Sequence, residues 1–217
     1  MGDPDDPRFH AARLVLALRQ AGVMDQRVLE ALEKTAREPF VPRPFLGSAW
    51  DDVELPIDCG QSLTRPVVVG VMVQALNSQR EHLVLEIGSG TGYSAAVLSR
   101  LSRRVYTIER YRTLVEKARG ALDQIGIERV EVRLADGLLG WPEAAPFDRV
   151  VLMGAVVAVP PAIVDQVARG GVIVAPIDRD GAQHVVRIEK RYDGSLHETV
   201  VLRARFALLE PGIAREL

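Results

Sequence analysis

The sequence predicts an α/β fold: a doubly wound, mostly parallel sheet with an N-terminal helical extension and antiparallel closing strands. Three observations carry this expectation. From residue 82 onward, short apolar runs alternate with stretches of helical periodicity. The runs are apolar almost throughout, as strands buried on both faces are. The first run, Val84-Leu-Glu-Ile87, passes directly into Gly88-Ser-Gly-Thr-Gly92 and then into a helical pattern, a strand–loop–helix unit of the kind that binds ligands at the carboxyl end of a parallel sheet.

The elements follow in order. Asp6 and Pro7 read as a helix cap and first helical residue. Leu14, Val15 and Leu18 recur at helical spacing, and Gly22 ends the helix. Asp25 caps a second helix carrying Val28, Leu29 and Leu32. Prolines exclude regular helix from Glu38-Pro-Phe-Val-Pro-Arg-Pro-Phe45. Pro66 opens another helical run with Val69, Met72, Val73 and Leu76 apolar. Residues 1–80 therefore read as a helical, loop-rich extension without a strand layer. It is expected to contribute to the substrate site of a core formed by residues 81–217.

In that core, strands are expected at 82–87, 105–108, 130–134 and 147–153, with helices at 93–101 and 111–125. A helix at 160–168 begins with proline and is closed by Gly170 and Gly171, and a strand follows at 172–175. Residues 185–191 and 199–207 alternate weakly, as an antiparallel closing pair does.

Composition narrows the function. The 217 residues are 47% hydrophobic, enough for a sizeable core. With 27 basic and 29 acidic residues, the charge gives no case for nucleic acid or an anionic membrane. One cysteine, Cys59, allows no internal disulfide, and the scattered His10, His82, His184 and His197 suggest no metal site. The acidic first residues do not read as a signal peptide, and no apolar run approaches the ~20 residues of a membrane helix. A cytoplasmic monomer is the expectation.

The glycine loop carries the chemistry. Glycine lets a backbone turn sharply and approach a ligand closely. Dinucleotide loops favour G-x-G-x-x-G after an apolar residue. Here Gly88, Gly90 and Gly92 alternate, and Glu86 precedes them. A carboxylate beside a pyrophosphate would be repulsive; it suits a ligand with a cationic amino-acid end, such as S-adenosylmethionine. That spacing argues against a nicotinamide oxidoreductase. Glu109 ends the next strand, where a carboxylate accepts hydrogen bonds from ribose hydroxyls. Asp136 ends the third and is the candidate for the adenine edge.

The second block is Leu55-Pro-Ile-Asp-Cys-Gly-Gln-Ser-Leu-Thr-Arg-Pro66. The helix start at Pro66 offers free N–H groups, with Ser62, Thr64 and Arg65 beside it, as a candidate carboxylate cradle.

These residues give the chain a resemblance to the protein-L-isoaspartate O-methyltransferase family. The matching blocks run in order from Arg37-Glu-Pro-Phe-Val-Pro42 through Ala49-Trp-Asp-Asp52, Gly60-Gln-Ser-Leu-Thr-Arg-Pro66, the glycine loop, Val105-Tyr-Thr-Ile-Glu109 and Asp136-Gly137 to Gly170-Gly171. The resemblance implies an S-adenosylmethionine-dependent methyltransferase of Rossmann-like fold. It implies methylation of the abnormal carboxyl of L-isoaspartyl residues in damaged proteins or peptides, so that the ester collapses to a succinimide that can reopen as aspartate. It places the cofactor on Glu86, Gly88, Gly90, Glu109 and Asp136, and the active-site hydroxyl on Thr64.

The chain departs from the family pattern on the substrate side. Thr64 stands for serine, Asp58 for glycine, Leu152-Met-Gly-Ala155 for Val-Thr-Ala-Ala, and Ala204-Arg-Phe-Ala-Leu-Leu209 for Val-Arg-Phe-Val-Pro-Leu. These departures keep two alternatives open: a same-fold methyltransferase for another carboxylate or peptide, and a non-catalytic S-adenosylmethionine-binding homologue.

Overall fold

A computed structural model describes residues 7–214; the Asp6 cap falls outside them. Helix α1 (Pro7–Gln20) buries Leu14 and Leu18, and Gly22 ends it at φ 87°. Helix α2 (Gln26–Glu33) starts at Asp25, whose carboxylate accepts the Arg27 N–H. Both pack on α3 (Pro66–Leu76), which is largely apolar. Gly70 of α3 sets how closely they meet, because a Cβ there would lie 2.4 Å from Leu18 Cδ2.

The proline-rich stretch forms two short 3₁₀ turns, Glu38–Phe40 and Arg43–Ser48. The extension does hold a little sheet, contrary to expectation. Strands β1 (Leu55–Pro56) and β2 (Ser62–Leu63) pair antiparallel around a tight turn in which Cys59 and Gly60 both take positive φ.

The central sheet comprises β3 (Leu83–Ile87), β4 (Arg104–Glu109), β5 (Val130–Leu134), β6 (Phe147–Leu152), β7 (Val167–Arg179), β8 (Ala182–Lys190) and β9 (Leu196–Arg203). Their order is β5-β4-β3-β6-β7-β8-β9, parallel from β5 to β7 and antiparallel thereafter. Helices α4 (Tyr93–Ser99) and α5 (Arg112–Gln124) make the first two crossovers. After β5 the chain returns to the far side of β3, which makes a switch point there.

Strand alternation sends Val84, Val105, Val132 and Val151 into one core with α1 to α5. Leu85, Ile87, Ile108 and Leu152 face the other way, onto Trp141, Phe147 and Ile163. The N-terminal helices thus share a core with the sheet.

The expected helix at 160–168 is shorter, α6 (Pro161–Asp165), and β7 begins at Val167. Val167 pairs with Phe147, and the register then shifts before Arg149 meets Val172. Gly170, at φ 80°, lies within that irregularity. The two glycines accommodate a bulge inside a strand rather than closing a helix.

Candidate functional site

The glycine loop turns at the carboxyl end of β3, where Gly88, Gly90 and Gly92 all take positive φ. Side chains are strained in that region, so the spacing of these glycines is a backbone requirement. The loop is tied to both neighbouring strands. Gly88 N–H donates to Ile108 O at 2.8 Å, and Met153 N–H donates to Ile87 O at 2.8 Å.

Glu109, at the end of β4, holds the loop from below. One carboxylate oxygen accepts the Gly90 N–H at 2.9 Å; the other accepts those of Arg110 at 2.7 Å and Tyr111 at 3.1 Å. Burial pushes its pKa up against the opposing effect of these N–H groups.

A cavity of about 280 Å³ opens beside this arrangement. Gly88, Gly90, Ile108, Glu109, Gly137 and Leu138 form part of its wall, with Ile57, Gln61 and Ser62 from the extension. Glycines keep it open: a Cβ at Gly137 would lie 2.4 Å from Ile87 Cγ2, and one at Gly90 would lie 3.4 Å from Ile57 Cδ1. Two sequence blocks separated by some twenty residues therefore share one cavity. A ligand with a ribose and a cationic amino-acid end fits a wall of positive-φ glycines beside a buried carboxylate.

The other expected acidic residues do not line the cavity. Glu86 is fully buried on the opposite face of β3 from Ile87, which does line it. Glu86 accepts the Thr107 hydroxyl at 2.6 Å, while its Oε1 has no partner. Desolvation raises its pKa to about 7 against the opposing effect of the Ser94 and Thr107 hydroxyls. Asp136 accepts the N–H groups of Leu138 at 2.9 Å and Gly212 at 2.7 Å. It caps the turn Gly137–Leu139 and so fixes two lining residues, Gly137 and Leu138.

On the substrate side, Ser62 lines the cavity but Thr64 and Arg65 do not. Helix α3 does not present a free N-terminus. Asp52 accepts the Val67 N–H at 3.0 Å and pairs with Arg65. The expected cradle is thus partly occupied by the chain's own carboxylate, from a loop 15 residues upstream that local pattern could not bring there. Asp58, where the family has glycine, pairs with Lys117 of α5 and ties the β1–β2 turn to the cofactor side.

A further wall comes from two segments legible in the sequence only as departures on the substrate side. Ala207, Leu208, Leu209 and Glu210 line the cavity, brought there by pairing of Leu208 with Ala155. Arg110 fastens the segment through Glu210 and through the Gly212 carbonyl at 3.1 Å. Met153 and Gly154 complete the same wall. A Cβ at Gly154 would lie 2.5 Å from Leu209 Cδ2, so this departure makes room for the closing segment.

Comparison with known proteins bears on the family and the fold. The family model described as Protein-L-isoaspartate(D-aspartate) O-methyltransferase matches residues 10–212. A protein-L-isoaspartate O-methyltransferase of Maricaulis maris is 46% identical over 212 residues, 98% of each chain. Its namesake from Rhodospirillum rubrum is 45% identical over 93% of each. A solved protein-L-isoaspartate O-methyltransferase superposes with a TM-score of 0.84 at 27% identity, covering 94% of this chain and 67% of that one. A second structure, from Plasmodium falciparum and described as a complex with S-adenosyl-L-homocysteine, shares the fold at TM-score 0.80 and 18% identity, over 93% of this chain and 98% of that one.

Proposed function

Because the chain belongs to the protein-L-isoaspartate O-methyltransferase family, we infer that it methylates the free carboxyl of L-isoaspartyl residues, using S-adenosylmethionine. The supporting observation is a shared wall: Gln61 and Ser62 of the family-specific block face the same cavity as Gly88, Gly90 and Glu109. A second enzyme class is not needed to explain any residue of that wall.

S-adenosylmethionine, when bound, supplies a methyl group activated by its sulfonium. The chain's residues have three tasks. Glu109 accepts ribose hydroxyls, and the Gly88–Gly90 turn, without side chains at either glycine, lets the amino-acid end approach the backbone closely. Glu86 is a buried support bonded to Thr107 of β4 rather than a contact. Asp136 acts through Gly137 and Leu138, which it positions at the adenine end.

The acceptor carboxylate, with a pKa near 4, is ionised at neutral pH, so no general base is needed. Its oxygen forms the new bond to carbon as the carbon–sulfur bond breaks and sulfur keeps the electron pair. Rate then comes from alignment and exclusion of water. Ser62 and the Thr64 hydroxyl orient the acceptor. Arg65, already paired with Asp52, steers rather than clamps, because a tight grip would stabilise the nucleophile.

Residues 1–80 supply the acceptor side and 81–217 the cofactor side. We propose a monomer in the cytoplasm acting on isoaspartyl proteins and peptides. Among the described residues no helix is long and apolar enough to cross a membrane.

Incubation with an isoaspartyl peptide and methyl-labelled S-adenosylmethionine tests the reading. A methyl ester released as methanol in mild base is expected. Label stable to base would contradict carboxyl transfer.

A further inference from the structure

Among the described residues Arg37 is the largest fully buried side chain, with 0% exposure, and no carboxylate there pairs with it. A buried cation without an anionic partner is costly and needs full hydrogen bonding. Arg37 meets most of that need with backbone carbonyls. Nη1 donates to Ala49 O at 3.0 Å and Asp51 O at 3.2 Å; Nη2 donates to Thr64 O at 2.9 Å and Val53 O at 3.4 Å. Only Nε–H lacks a partner. Burial lowers its pKa from the usual arginine value, but it stays charged at neutral pH.

The four carbonyls are not a random set. Ala49, Asp51 and Val53 frame Asp52, which caps α3 and pairs with Arg65. The fourth belongs to Thr64. The other side of Arg37 faces the cofactor loop: its guanidinium lies 5.5 Å from the centre of the Tyr93 ring, and Tyr93 opens α4 directly after Gly92. The turn that Arg37 begins is anchored there as well. Thr91 donates its hydroxyl to Phe40 O at 2.8 Å, and Phe40 meets Tyr93 edge to face.

We propose that Arg37 is a positioning residue for methyl transfer: its planar fork fixes the backbone of Thr64 and of the 49–53 loop relative to the glycine loop. Lysine could carry the charge but not four divergent donors in one plane. The inference rests on the reading that Thr64 serves the acceptor. It concerns alignment between two ligands rather than binding of either alone.

The test compares Arg37→Lys and Arg37→Gln with wild type in the full chain. Gln removes the buried charge and so keeps the inference testable if Lys does not fold. Melting temperature, S-adenosylmethionine affinity by calorimetry, and kcat and KM for an isoaspartyl peptide are measured, with Thr64→Val alongside. Expected is a folded variant with unchanged cofactor affinity and kcat/KM for peptide lower by roughly tenfold to a hundredfold, the loss from a small misplacement. Amides of residues 49–65 should exchange faster while those of β3 and β4 do not.

A folded Arg37 variant with wild-type kcat/KM overturns the inference. So does parallel loss of cofactor affinity and peptide turnover, which would make Arg37 a general support of the fold. If Thr64→Val is itself without effect, the reading of Thr64 fails instead, whatever Arg37 does.

Discussion

The Glu109 carboxylate accepts the Gly90 N–H at 2.9 Å, so one side chain at the end of β4 fixes the loop at the end of β3 that bounds the cofactor cavity. Its second oxygen receives Arg110 and Tyr111. Glu109 is therefore part of the loop's own structure as well as the proposed acceptor of ribose hydroxyls. Glu109→Ala should weaken S-adenosylmethionine binding by about 1–3 kcal/mol, the cost of stranding polar partners. Calorimetry decides, and unchanged affinity would remove Glu109 from the site.

Glu86 makes stability depend on pH. Its pKa rises from 4.5 unfolded to about 7 in the fold, because burial penalises the charge. Between those values the native state binds more protons than the unfolded state. Stability then falls as pH rises through that window and levels off above it. Thermal melts from pH 4.5 to 8 should show the fall in wild type and a flatter profile in Glu86→Gln. The same slope in both would assign the effect elsewhere.

Thr64 is the proposed bearer of the hydroxyl that orients the acceptor. Thr64→Ser should retain or raise the rate of transfer, and Thr64→Val should lower it about tenfold or more, the scale of a lost orienting group. Equal rates for all three proteins, with fold checked by melting, would mean that the hydroxyl has no part.

Gly137 adjoins Ile87 so closely that an alanine Cβ would lie 2.4 Å from Ile87 Cγ2. Ile87 is buried and lines the cavity. Gly137→Ala should cost about 1–3 kcal/mol of stability, as overpacking does, and should weaken cofactor binding by displacing Ile87. A melting temperature and affinity equal to wild type would show that the wall relaxes freely.

Local pattern carried much of this in advance. The helix stops at Gly22 and Gly126, the cap at Asp25 and the strands from β3 to β6 follow from periodicity and turn chemistry. The glycine loop and Glu109 were legible because one strand–loop–helix unit and the next strand end make that half of the wall. What escaped is what distant segments assemble. Asp52 reaches the start of α3, residues 207–210 close the cavity, and Arg37 gathers carbonyls from 49–53 and 64. None of these has a periodic signal. Glu86 was legible as an acid before the glycine loop, expected to meet the cofactor, but not as a buried residue facing away from the cavity, since the register of β3 decides its face.

The most direct measurement is methyl transfer to a matched pair of peptides, one with L-isoaspartate and one with L-aspartate at the same position. Transfer to the isoaspartyl peptide alone, abolished with the cofactor site, is the predicted result. Cofactor binding without transfer to either peptide, or equal transfer to both, would contradict it.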